Sequence, residues 1–595
     1  MTRLRSAGRR SGATAVAAAV IGGLLGGATG AGALPQQPHT DGSVADAERT
    51  AQDGVPAVWP RPQSIRAHGS FVPVTREVTL LAGPDADPYA LDVVREVLRD
   101  AGAHTVHHPD PDADPGAQPA GPGTVVRVGG ASAEQALHTL GARERGDLPA
   151  GGYRLATGQV GSRDTVALAG RDGAGLFHAA QTLRQLLTEH DGGTGFAGVL
   201  VRDWPASSAR GVAEAFYGEP WSHRERLAQL DFLGRTKQNR YLYAPGEDGY
   251  RQARRWRDPY PADRRAGFRE LAQRARRNHV TLAWAVSPGQ SLCFSSAQDR
   301  RALLRKLDAM RALGFGAFQL QFDDVSYTEW HCDEDASTYG SGPQAAARAQ
   351  ADLANAVADH LAARQPGTAP LSVLPTEYYQ QGRTEYRKAL AHALHDGVQV
   401  VWTGVGVVPQ TITGGELAEV RKAFPHHPLV TMDNYPVNDF APDRLFLGPV
   451  RGREPAVASG SAVLLSNAMP QALASRIPLF TAADYAWNPH GYRPGTAWRA
   501  AVEAAAGPDG DSRAAVRTLA ANEASSILGG TESAYLQPLL EDFWAAHGGT
   551  DPDRLSDAAG RLRRAFAGMR AAREDVPEPL AEETGRWLDQ LARLG

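Results

Sequence analysis

Cysteine and lysine are the scarce residues of this 595-residue chain. There are two cysteines, Cys293 and Cys332. Two thiols cannot build a disulfide scaffold or a four-ligand zinc site. Lysine stands only at Lys237, Lys306, Lys388 and Lys422, so the cations are nearly all arginine. With the richness in Ala and Gly, we read that bias as coding composition rather than function. A basic excess is also absent: the formal net charge is -4. Nothing therefore supports nucleic acid or a membrane surface as partner. Beyond the first thirty-odd residues no stretch is long and apolar enough to span a bilayer. What is present suffices for ordinary cores, with 42% hydrophobic residues, and the length suggests about three or four domains.

The N-terminus reads as a processing segment. Arg3, Arg5, Arg9 and Arg10 form a positive region, residues 13–27 are Ala/Val/Ile/Leu/Gly-rich, and Ala31-Gly32-Ala33 is an Ala-x-Ala cleavage signal. This is the pattern of a secretory signal peptide over residues 1–33, an uncleaved anchor being the rival. The mature protein is expected to be exported, with no membrane contact after cleavage. Residues 34–58 are polar and read as a poorly ordered linker.

Residues 59–205 alternate strand and helix patterns and read as a small α/β domain. Strands are expected at 78–81, 125–128, 153–155 and 165–169, and helices at 89–101 and 176–187. The turn Gly173-Ala174-Gly175 lacks both nucleotide fingerprints. After Asp203-Trp204-Pro205, short apolar runs alternate with amphipathic stretches eight times: 211–216, 240–245, 281–288, 317–324, 371–378, 398–404, 429–436 and 462–469. Repeated strand–helix units of this length imply a parallel sheet closed as a (β/α)8 TIM barrel over residues 206–495. Residues 496–595 read as helices only, a bundle packed on the barrel as scaffold or docking surface. The fold class is thus α/β, a barrel between a small α/β domain and a helical domain.

The fourth run is the most informative. Phe318, Leu320 and Phe322 alternate, and then Asp323 and Asp324 stand together. Paired carboxylates at the C-terminal end of a parallel strand open into a crevice and can divide acid and base labour. A helix cap or Asx turn is the plain alternative for an isolated pair. Other runs end in Glu214, in Thr376-Glu377-Tyr378, in Thr403, in Asp433-Asn434 with Asn438-Asp439, and in Ser466-Asn467. Hydroxyls, amides and acids gathered on one face suit the mouth of a sugar-binding barrel.

In order along the chain, Arg210–Trp221 (RGVAEAFYGEPW), Tyr243-Ala244-Pro245, Ser287-Pro288-Gly289, Asp323-Asp324, Pro375-Thr376-Glu377-Tyr378, Trp402-Thr403-Gly404, Asn434 with Asp439, and Ala483–Asn488 (ADYAWN) together resemble glycoside hydrolase family 84. Residues 59–205 are similar to the small α/β domain preceding such barrels. The resemblance implies a β-N-acetylglucosaminidase, retaining and substrate-assisted, with no cofactor and no metal. Its partner would be an N-acetylglucosamine-containing glycan or glycoconjugate. By the family's pattern Asp323 would hold the acetamido N–H, and Asp324 would act as acid and then base. Ala215, Tyr217, Tyr378, Thr403 and Val407 would line the pocket. Asn434, Asp439 and Asn467 would hold hydroxyls or the acetamide. Three positions depart from that pattern: Gly246 stands for a sugar-reaching Lys, with Arg251 or Arg254 as candidate substitutes; Met432 stands for an aromatic; Ala215 stands for a Gly. These departures imply altered specificity, or a carbohydrate-binding pseudoenzyme.

Cys293 follows the third run and Cys332 the fourth, so their loops lie side by side on the mouth. A disulfide is expected, separate buried thiols being the alternative. His331-Cys332-Asp333-Glu334-Asp335 reads as a polar loop rather than a metal site. The arginine-rich stretch 251–277 reads as a solvated helix face, with a polyanionic glycan as the alternative partner. The oligomeric state is not legible.

Overall fold

The computed structural model describes residues 55–108, 123–142, 146–323, 325–364 and 366–594, the side chain of Arg254 excepted. The expected signal peptide, most of the expected linker, and Asp324 lie outside the described residues. The linker boundary needs one correction. Val55 and Val58 are buried in the core of the first domain, because that core has an apolar cleft for them beside the sheet.

That domain holds a seven-stranded sheet. Its spatial order is Ser64–Ala67, Val199–Asp203, Tyr153–Val160, Arg163–Gly170, Thr124–Val128, Glu77–Ala82 and Thr105–His107. The first four pair antiparallel and the last four parallel. The helix Pro88–Asp100 begins where Asp87 accepts the Ala90 N–H and Pro88 occupies the first turn, a standard start. Val94, Val97 and Leu98 bury one face of it against the sheet. The short edge strands were not legible in the sequence, because two to four residues carry too little periodicity to register; the helix Gly130–Thr139 was not legible either, and it opens on Gly and buries only Ala133, Ala136 and Leu137.

Eight parallel strands close into a barrel. They are Arg210–Glu214, Arg240–Tyr243, Thr281–Val286, Ala317–Gln321, Ser372–Leu374, Gln399–Trp402, Leu429–Asp433 and Val463–Asn467. The first pairs with both the second and the eighth. Each strand ends before its apolar run does, so the motif residues fall on the last strand positions and on the loops that follow. Gly211 shows how tightly the ring closes: a Cβ there would lie 1.7 Å from the Arg240 carbonyl oxygen.

Alternation divides each strand between two cores. Val212, Phe318, Leu320 and Phe322 face outward into the helix layer. Ala213, Leu242, Ala283, Ala285, Leu374, Val401, Val430, Met432 and Leu465 form a separate inner cluster. The helix His223–Arg235 starts at a capping box between Ser222 and Glu225, which satisfies two otherwise orphaned N–H groups.

Five helices follow: Pro494–Ala506, Gly510–Asn522, Leu536–His547, Pro552–Asp575 and Glu578–Leu594. The second of these ends at Asn522. Asn522 is held by Tyr535 and Ser533, and Glu523 receives the Leu447 N–H at 2.9 Å, which turns the chain back to the barrel. Among the described residues no helix is long and apolar enough to cross a membrane.

Candidate active site

The barrel strands aim their C-terminal ends at one mouth, and alternation decides which side chains reach it. Glu214, the last residue of the first strand, does not. It is fully buried on the outward side, where Arg226 donates to it at 2.8 and 2.7 Å and the Trp221 N–H at 3.1 Å. Asp433 likewise points outward into a bidentate pair with Arg453, at 2.7 Å for each contact. Glu377 accepts the Tyr327 hydroxyl at 2.8 Å and also the Thr384 hydroxyl. These three acids were read as mouth residues. The structure instead commits each to bonds that join a strand to its surrounding loops and helices. Buried acids of this kind are retained because a partner compensates the desolvation.

The inward and loop positions form a connected belt. Asn467 donates from Nδ2 to Asn434 Oδ1 at 3.0 Å, and its Oδ1 accepts the Ala215 N–H at 3.1 Å. Asn434 donates onward to the Val407 carbonyl at 2.7 Å. Four consecutive strand ends of the closed ring, the sixth, seventh, eighth and first, are thereby tied together. Asp439 accepts the Tyr217 N–H at 2.9 Å. Burial raises the Asp439 pKa, and the N–H groups of Tyr217 and Phe440 oppose the rise. Thr403 is buried and donates to the Gly406 carbonyl at 3.0 Å, while its own N–H reaches the Tyr378 carbonyl at 3.0 Å. Tyr378 packs on the inner barrel cluster. Asp323 is half-buried just past the end of the fourth strand. Asp324 lies outside the described residues.

Cys293 and Cys332 are joined as a disulfide. It links the loops after the third and fourth strands. With both sulfurs covalently paired, neither is a thiolate ligand for a metal. Asp335 beside them is fully buried and accepts the N–H groups of Phe294 and Ser295 at 2.8 and 2.7 Å. The segment expected to be a loop instead opens the helix Asp333–Tyr339, whose first turn pins the third-strand loop through Asp335.

The sequence matches the family model for beta-N-acetylglucosaminidase over residues 210–521, just over half of the chain. The chain belongs to that family. Residues 55–204 match the model for glycosyl hydrolase family 20, domain 2. Protein O-GlcNAcase of Rattus norvegicus is 31% identical over 308 residues, covering 50% of this chain and 32% of that protein. Protein O-GlcNAcase of Mus musculus is 31% identical over 290 residues, covering 48% and 30%. The chain thus spans about a third of the length of these curated relatives. Among solved structures, an O-GlcNAc hydrolase mutant from Thermobaculum terrenum is 30% identical with a TM-score of 0.58, covering 65% of this chain and 81% of that one. CpGH84B superposes with a TM-score of 0.75 at 24% identity, covering 90% and 89%. The barrel is thus the part of the chain that carries the beta-N-acetylglucosaminidase family match, and a family-20-type domain stands ahead of it.

The departures from the family pattern have physical content here. A Cβ at Gly246 would meet the Tyr217 ring at 2.7 Å and the Phe216 carbonyl oxygen at 3.0 Å. Tyr217, itself 55% exposed, therefore covers the place from which a lysine side chain would start. Met432 is buried in the inner cluster and floors the barrel. Arg251, read as a surface arginine that reaches toward the sugar, is 3% exposed. Its N–H groups go to the Ala285 and Pro245 carbonyls, each at 3.1 Å, and to Gln321. Of the rest of the basic stretch, Arg257, Arg264 and Arg274 pair with Asp299, Asp248 and Asp231. The sequence reading missed Gln319 and Gln321. Their signal was present: if Phe318, Leu320 and Phe322 face the helices, residues 319, 321 and 323 must face the barrel axis.

Proposed function

We propose that the mature protein is a secreted exo-β-N-acetylglucosaminidase that hydrolyses with retention through an oxazoline intermediate. The observation that carries this reading is the belt Ala215–Asn467–Asn434–Val407, with Asp439 fixed beside it. It is a rigid, polar, half-open rim of amides and carbonyls, the chemistry that sugar hydroxyls and an acetamide require. Asp323 stands just past the fourth strand, across the ring from the eighth, and Asp324 is the next residue in the chain.

In the proposed mechanism the substrate's 2-acetamido oxygen attacks the anomeric carbon while the glycosidic C–O bond breaks. Asp324 gives its proton to the departing oxygen. Asp323, as the carboxylate, accepts the acetamido N–H and balances the positive charge that develops on the oxazolinium. Water then attacks the anomeric carbon, Asp324 takes its proton, and the acetamide is restored. Both displacements invert, so the anomeric configuration is retained. Enzymes of this kind depart from the two-carboxylate nucleophile scheme.

Export is supported by the N-terminal pattern and by the disulfide, which persists in oxidising compartments. A different or substituted N-acetylhexosaminide is the refinement that Tyr217 over Gly246 favours, because no cation starts from that position toward the sugar. The test is hydrolysis of aryl β-N-acetylglucosaminide and its galacto epimer, with the anomer of the first-formed product read by NMR. Release with retention, abolished in Asp324→Asn, is expected. Binding of a thiazoline inhibitor without turnover of either epimer would replace the enzyme by a carbohydrate-binding pseudoenzyme.

A further inference from the structure

Arg251 is a buried cation for which the proposed mechanism has no stated use. It lies on the loop after the second barrel strand, and its planar guanidinium is held from three sides. Nη1 donates to the Pro245 carbonyl after the second strand, Nε to the Ala285 carbonyl of the third, and Nη2 to Gln321 of the fourth. Its own carbonyl accepts the Ser287 N–H at 2.8 Å. A guanidinium gripped this way has no freedom to leave.

Gln321 connects it to the catalytic strand. Its Nε2 donates to Gln319 Oε1 at 3.0 Å, and Gln319 donates to Ser372 Oγ on the fifth strand at 3.4 Å. Both glutamines are buried and face the barrel axis. Asp323 follows Gln321 by two residues, just past the end of the strand. Arg251 and Asp323 interact electrostatically. The other groups around Arg251 are Asp248, Tyr243 and Tyr260. Asp248 is already engaged by Tyr243 at 2.7 Å, Tyr260 at 2.8 Å and Arg264 at 3.2 Å.

We propose that Arg251 is a positioning residue that keeps Asp323 ionised, and that Gln321 locks its guanidinium beneath the mouth. The inference rests on the proposed function, in which Asp323 must be the carboxylate when the acetamide attacks. Partial burial of a carboxylate pushes toward protonation, and a fixed cation in a poorly screened site pushes back. Burial lowers the pKa of Arg251, yet a guanidinium keeps its proton at any working pH. The cation therefore acts on the charge of Asp323 and not on the sugar.

The experiment is the pH profile of kcat/KM on an aryl β-N-acetylglucosaminide for wild type, R251Q, R251K and Q321L. R251Q keeps polar contacts and removes the charge. Its acidic limb is expected to move up by a pH unit or more, with the loss of kcat approaching tenfold below the wild-type limb and fading above the displaced one, and KM changing less than threefold. R251K is expected to return the limb to within half a unit of wild type. An R251Q limb that stays in place, with rates reduced equally at all pH, would show a merely structural arginine and overturn the proposal. If R251Q does not fold, Q321L decides: a limb displaced in the same direction supports the lock, and an unmoved limb overturns it. Wild type without turnover would remove the proposed function itself, and with it the role given to Arg251.

Discussion

Two regions of the molecule collect buried polar groups, and they do so for opposite ends. One is the barrel mouth. The other is the seam between the first domain and the barrel. At the seam Asp203 is fully buried and accepts from Tyr153 at 2.7 Å, Trp487 at 2.8 Å, the Gln63 N–H at 2.9 Å and Lys237 at 3.4 Å. Trp487 carries Arg210 on its ring at 4.6 Å and Lys237 at 4.7 Å. Its carbonyl takes the Ala206 N–H at 2.8 Å. Every partner is another part of the chain. At the mouth, by contrast, Tyr217 and Val407 remain exposed and the bonds run along a rim. A closed network holds domains together, whereas an open rim leaves directions for a ligand. The motif Ala483–Asn488 belongs to the seam, where Asp484 accepts the Arg61 N–H and Asn488 donates to the Pro62 carbonyl.

The largest effect that separates the regions is at the acids. Asp324→Asn should lower kcat by about 10²–10⁴-fold while thermal unfolding stays near that of wild type; a large loss of Tm would move this acid from chemistry to structure. Asp203→Ala should do the reverse. It leaves Lys237 buried without its carboxylate, at a cost of about 3–5 kcal/mol, readable in denaturant unfolding. The kcat of the folded fraction should be preserved. A selective loss of kcat would join seam and mouth into one functional unit.

The disulfide comes next. It closes a loop with a sequence separation of 39, worth about 4 kcal/mol on the chain-entropy account. The paired Cys293→Ala, Cys332→Ala variant should lose about 2–4 kcal/mol of stability, and reduction should lower Tm only in wild type. Asn467→Ala breaks the rim at its centre. It removes partners from Asn434 and from the Ala215 N–H, at about 1–3 kcal/mol, so kcat/KM should fall about tenfold to a hundredfold. A loss confined to stability would mean that the belt serves only barrel closure.

The smallest effect is a pH dependence of the seam. Burial raises the pKa of Asp484 from 3.8 to about 7. The folded state then binds the extra proton between those values, so this group's contribution to stability is full below about pH 4. It declines as pH rises toward 7 and stays lost above. Glu523 and Glu583 are raised to about 7 by burial and add slope of the same sign. Asp484→Asn should therefore reduce the slope of stability against pH by about one proton in this window, without removing it. An unchanged slope would show that Asp484 is ionised in the fold.

Particular residues show how far the sequence reached. All eight barrel strands were legible, because a parallel strand buried on both faces reads as a continuous apolar run. Asn434 and Asn467 were legible as polar residues at strand ends. Glu214 and Asp433 looked the same in one dimension and proved to be anchors. Arg251 looked like one more surface arginine. The burial of Val55 and Val58 was not read, since nothing local distinguishes a docked end from a loose one.

The sequence by itself determined the order of the domains, the barrel and the acids at the end of its fourth strand. Those features are local: periodicity, length and chain order suffice to specify them. Only the tertiary structure decided which polar side chains face the mouth, which pin the helices, and where a buried charge sits. Those outcomes depend on the two-residue alternation of each strand combined with the closure of the ring. Closure brings Arg251 under the fourth strand, and the eighth strand beside the first, from positions far apart in the chain.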